Sequence, residues 1–69
     1  MNYAEINEAL EVVVQPGQAQ GLSLSEALQR LDAAHAQPEL KRAHPHLRHY
    51  LQNRSYQKAH AYLREHQLV

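Results

Sequence analysis

The stretch AHPHLRHYLQNRSYQKAHAYLREH, residues 43–66, decides the fold. It holds five of the chain's six histidines and four of its seven Lys/Arg residues. Three readings compete: a metal site, a nucleic-acid surface, or the outsides of two ordinary helices. Apolar residues recur at helical spacing, first Leu47, Tyr50 and Leu51, then Tyr56, Ala59 and Leu63. Pro45 suits the first position of one helix, which reads PHLRHYLQNR, because its missing N–H would be unpaired there anyway. The polar NRS at 53–55 separates it from the second, with Ser55 as the expected N-cap and a span of Tyr56 to about His66. His60 and Tyr62 fall on opposite flanks of that helix. The third reading accounts for the most residues.

Working upstream, PELKRAH predicts one short helical turn with Pro38 at its first position. Gln37 and His44 each precede a proline and are biased away from helical backbone. SLSE at 23–26 is a capping box: the Ser23 hydroxyl accepts from the Glu26 N–H, and Glu26 reaches back to Ser23. The helix it starts is expected from Leu24 to about Ala36, with Leu24, Leu28 and Leu31 as its stripe and Ala27 and Ala34 beside it. QPGQAQG, residues 15–21, predicts a flexible loop. NYAEINEALEVVV, residues 2–14, puts Tyr3, Ile6, Leu10, Val13 and Val14 on one stripe, with Asn2 as N-cap. Its EVVV end would also accept a strand, but the chain offers no second strand to pair with it. The final QLV is expected to fray.

These elements predict an all-α fold, a small compact bundle of three main helices plus one or two short helices, with residues 1–69 forming a single helical domain. The expected inward residues are Ile6, Leu10, Val13, Leu24, Leu28, Leu31, Leu47, Tyr50, Leu51, Tyr56, Ala59 and Leu63. The spacing of Tyr56, Ala59 and Leu63 resembles one helix of a tetratricopeptide repeat, and also the last helix of a ubiquitin-associated domain. Any packed amphipathic helix shares it, so neither likeness implies a function. There is no second repeat for a tetratricopeptide unit to stack on.

Composition narrows the function classes. The chain has no Cys, which excludes disulfides, zinc knuckles and thiol catalysis. No basic segment leads into an apolar one after Met1, and the longest purely apolar run is Val12 to Val14. A cytoplasmic protein with no membrane association is expected. The formal charge of zero hides an asymmetry. Residues 1–39 carry six acids and one base, Arg30, giving −5; residues 40–69 carry six bases and one acid, Glu65, giving +5. The two halves either attract each other within one fold or face different partners.

A metal centre is poorly served. His46 and His49 have helical spacing for a shared ligand, but Pro45 separates His44 from them. His60 and His66 lie about 120° apart around a helix, and few carboxylates are near enough to complete a shell. Catalysis is equally poorly served. Ser23 and Ser55 are assigned to caps, no nucleophile elbow or phosphate loop is present, and so short a chain has little room for a pocket of roughly 300 Å³ or more. No enzyme activity, cofactor or small-molecule substrate is expected. Nucleic acid is the alternative partner: Lys41, Arg42, Arg48, Arg54, Lys58 and Arg64 are candidate phosphate contacts, though a dedicated binder is usually basic overall. The leading expectation is a non-catalytic helical module that binds a protein partner or associates with itself, with the same six bases as the surface for an acidic partner.

Overall fold

The computed structural model describes residues 2–15, 17 and 21–69. Most of the loop expected over residues 15–21 lies outside them. Five helices run α1 (Tyr3–Val14), α2 (Leu24–His35), α3 (Pro38–Ala43), α4 (Pro45–Gln52) and α5 (Tyr56–Glu65), with no strand among the described residues. The fold is the all-α bundle the sequence predicts, with α1, α2 and α5 as its main helices and α3 and α4 as the short ones. None of these helices is long and apolar enough to cross a membrane.

The helix starts follow local chemistry. The Asn2 side chain accepts from the N–H groups of Ala4 and Glu5 at 3.0 and 3.3 Å, and Ser23 Oγ accepts from Glu26 N–H at 3.1 Å. The return bond of the capping box, from the Glu26 side chain to Ser23, is not formed among the described residues. Pro38 and Pro45 each stand first in their helix, and the residues before them leave the helical region: Gln37 is extended at φ −73°, ψ 125°, and His44 lies at φ −140°, ψ 71°. Ser55 occupies the N-cap position of α5, but its side chain makes no capping bond.

Two helix ends are built without glycine. Arg54 (φ 60°) and Gln67 (φ 56°) both take the left-handed conformation. After α4, Ser55 N–H donates to Tyr50 C=O at 2.8 Å and Arg54 N–H to Leu51 C=O at 3.2 Å. After α5, Leu68 N–H donates to Leu63 C=O at 2.9 Å and Gln67 N–H to Arg64 C=O at 3.1 Å. Both are Schellman motifs, in which a left-handed residue lets the chain fold back onto its last orphan carbonyls. The expected fraying of QLV is therefore corrected: Leu68 is half-buried and packs against the core.

Helix contacts form a closed ring. α1 packs on α2 and α5, α4 packs on α2 and α5, and α3 bridges α2 to α4. Leu10, Leu31, Leu40, Leu47, Leu51 and Leu63 fill its centre. The inward face of α2 differs from expectation, because Leu24 is 55% exposed and Leu28 only half-buried, while Ala27, Leu31 and Ala34 are buried. Two stripes overlap on this helix, one through the leucines and one through the alanines. The stripe that faces inward runs through Ala27, Leu31 and Ala34. On α1, Val12 is buried and Val13 half-buried. Val12 lies one turn beyond Glu8, which meets Arg30 of α2 at 3.9 Å, so Val12 shares the flank against α2. Ala9 and Leu40, absent from the sequence-based core, are fully buried. Tyr50 and Tyr56 are half-buried against its edge.

The cap geometry separates two serines that look alike in sequence. Ser23→Ala should lower stability by about 1 kcal/mol in urea denaturation, while Ser55→Ala, whose hydroxyl caps nothing, should change it by less than about half of that. Arg54→Gly should raise stability by up to about 1 kcal/mol, because glycine occupies the left-handed region without the Cβ penalty. A loss on Arg54→Gly would mean that the side chain contributes more than the backbone strain costs.

Candidate interaction surface

The ring sorts charge by side. α1 carries Glu5, Glu8 and Glu11 and borders α2, which carries Glu26 and Asp32. Lys41 and Arg42 lie exposed at the end of α3, Arg48 is half-buried on α4, Arg54 is exposed in the turn after it, and Lys58 and Arg64 are exposed on α5. The acidic helices are therefore neighbours on one side, and the basic residues lie on the connected helices of the other.

Ion pairing does not cancel this separation. The pairs among the described residues are Arg30–Glu8 at 3.9 Å and His35–Asp32 at 4.0 Å, both inside the acidic half. None of the six candidate bases forms an ion pair among the described residues. The structure does not gather all six into one patch. Arg54 and Lys58 share the lining of a shallow cleft of about 280 Å³ at the start of α5, with Ser55, Tyr56 and Gln57. Tyr50 faces Tyr62 of α5, which leaves Arg48, two residues away and some 160° around the helix, on the far flank of α4.

An aromatic corner holds the α3–α4 turn against α1 and α5. His44 Nδ1 and Tyr62 Oη are 2.9 Å apart, and the His44 ring meets Tyr3 and Tyr62 edge-on at centroid distances of 5.5 and 5.7 Å. Tyr50 meets Tyr62 edge-on at 6.2 Å, and His66 lies over Tyr62 at 3.9 Å. Burial, then the nearby Glu39 carboxylate, then Tyr62 push the Tyr3 hydroxyl above its ordinary pKa. His44 is thus a structural residue of the interior edge, not part of a helix exterior. Its partner Tyr62 is 18 residues away, a pairing that no local pattern signals. With their rings engaged in this way, Tyr3, Tyr50 and Tyr62 are not laid out as a stacking platform for unpaired bases.

The seam between α1 and α5 is polar and incompletely satisfied. His60 is 8% exposed, and its Nε2 has no hydrogen-bond partner. Asn7 Nδ2 donates to Glu11 Oε1 at 3.0 Å, while Asn7 Oδ1 and Tyr56 Oη are buried without partners. Burial, reinforced by Arg64, holds the His60 pKa below its ordinary value of 6.5, and Glu11 opposes the shift.

An open groove of about 330 Å³, larger than the chain length led us to expect, runs between the start of α1 and the end of α2, lined among others by Glu5, Ile6, Arg30, Ala34 and Glu39. Among the described residues, its lining contains no Ser, Thr, Cys or His. Among the described residues, no three His, Asp, Glu or Cys side chains gather as metal ligands would. Comparison with family models, curated proteins and solved structures finds no match for the chain.

The His60 environment gives a pH dependence of definite sign. A histidine whose pKa is depressed on folding binds its proton more readily when unfolded. Its stabilising contribution is present above about pH 6.5 and is lost as pH falls from there through the folded-state value. His60→Leu removes both the titration and the unpaired nitrogen. It should stabilise the protein by on the order of 1 kcal/mol at neutral pH, and by more at pH 5. Urea titrations at the two pH values check this, and equal increments at both would remove His60 as the source.

Proposed function

We propose that the protein is a small non-catalytic interaction module, whose helical scaffold presents the basic residues of α3, α4 and α5 to an acidic macromolecular surface. The observation that carries the reading is the sorting of charge: six bases on connected helices, none in an ion pair among the described residues, on the side away from the acidic α1 and α2. Charge held apart in this way costs the fold its internal attraction and creates an external field, which steers and orients a partner of opposite sign. Arg54 and Lys58, which share one cleft, are the leading contact residues, Lys41, Arg42, Arg48 and Arg64 add to the basic side without joining that patch, and we place the protein in the cytoplasm.

A protein surface, including that of a second copy, is the preferred partner. Nucleic acid is the alternative, supported by the same six bases; the zero net charge, the scatter of Arg48 away from α5 and the mutual engagement of the tyrosines count against it.

Pulldown of the native protein with mass spectrometry, with and without nuclease, separates the two. Partners retained after nuclease, but lost from a Lys58→Glu/Arg64→Glu variant and in high salt, support the protein-binding reading. Nuclease-sensitive capture supports the alternative. Capture that is indifferent to charge reversal would overturn both.

A further inference from the structure

We propose that the groove between the start of α1 and the end of α2 is a second docking site, which takes a lysine or arginine side chain carried on an extended basic segment of a protein partner. The inference goes beyond the interaction-module reading, since it concerns the acidic side of the molecule and a ligand of the opposite sign. The groove joins an apolar floor to a charged rim. Ile6 and Ala34 are buried, at 4% and 8% exposure, and the exposed Ala33 lines the groove with them. Arg30 also lines it, but its guanidinium meets Glu8 of α1 at 3.9 Å. That pair answers the one base of the lining. The Glu5 carboxylate is exposed in the same lining and forms no ion pair among the described residues.

Lysine and arginine are the side chains that match both features, because each has an apolar stem and a cationic head. The stem covers Ile6, Ala33 and Ala34 while the head meets Glu5. The groove is open rather than enclosed, so the backbone that carries the side chain runs out along it. A free small amine would gain little cover from such a site. The contact is a single, partly exposed charge pair over a modest apolar area, so the affinity of one side chain is weak.

Titration of the isotope-labelled chain with short peptides, followed by NMR, tests the proposal. The probes are acetyl-Gly-Ala-Lys-Ala-Gly-amide, its norleucine counterpart, which keeps the stem and lacks the charge, and its glutamate counterpart. The lysine peptide is expected to shift the amide signals of Glu5, Ile6, Ala33 and Ala34, and the other two are not. Three variants, each shown to be folded by circular dichroism, separate the groove from general attraction to the acidic half. Glu5→Gln should weaken binding about threefold. Ala33→Gln fills the groove without changing charge and should weaken it at least as much. Glu26→Gln removes a charge of the same half at the other end of α2 and should leave binding unchanged. No shift at ~10 mM lysine peptide in ~20 mM salt would overturn the proposal. Equal binding of the norleucine peptide would do the same, as would equal losses from Glu5→Gln and Glu26→Gln with none from Ala33→Gln. None of these outcomes touches the reading of the basic side, whose residues stay native throughout.

Discussion

The chain turns twice between Pro38 and Pro45, and the rest of the architecture depends on those turns. Each proline removes a backbone donor and forces its predecessor out of the helical region, so no continuous helix can run from α2 into α4. The six-residue α3 starts with the first of these prolines, and one of its residues, Leu40, is fully buried. That leucine anchors the connector to the core while its neighbours Lys41 and Arg42 remain exposed. The double turn brings α4 back against α2 and leaves α5 to close on α1. Had α2 continued through this region, the basic helices would have had no route to the side opposite the acidic ones.

His44 secures the second turn. It is the residue forced out of helical conformation by Pro45, and its ring fills the space between Tyr3 and Tyr62. The hydrogen bond to Tyr62 ties the α3–α4 junction to α5, and the edge contact with Tyr3 ties it to α1. Three parts of the chain thus meet on one imidazole. The histidine-rich composition of residues 43–66 consequently serves unlike ends: His44 packs, His60 is buried in a seam, and His46 and His49 face outward.

What the sequence revealed follows from how local each signal is. Asn2, Ser23, Pro38 and Pro45 act on their own backbone or the next turn, and α1 to α4 start where they place them. Leu24 misled because hydrophobicity alone cannot choose between two overlapping stripes, and the buried one runs through Ala27, Leu31 and Ala34. The Schellman ends at Arg54 and Gln67 lacked their usual glycine signal, so the final residues looked free. The six bases could be read as a set, but whether they lay beside the acids or across from them depended on helix pairing. The unpaired atoms of Asn7, Tyr56 and His60 depended on it too, since α1 and α5 are at opposite ends of the chain.

That last separation bears on the order of folding. α2, α3, α4 and α5 reach one another through short connections, whereas joining α1 to α5 closes a loop that spans most of the chain and has a correspondingly larger entropy cost. That seam buries Asn7 Oδ1 and His60 Nε2 without a hydrogen-bond partner, and the edge contacts of His44 with Tyr3 and Tyr62 help to close it. Among the helix contacts, the docking of α1 onto α5 is therefore the one with the largest closure cost.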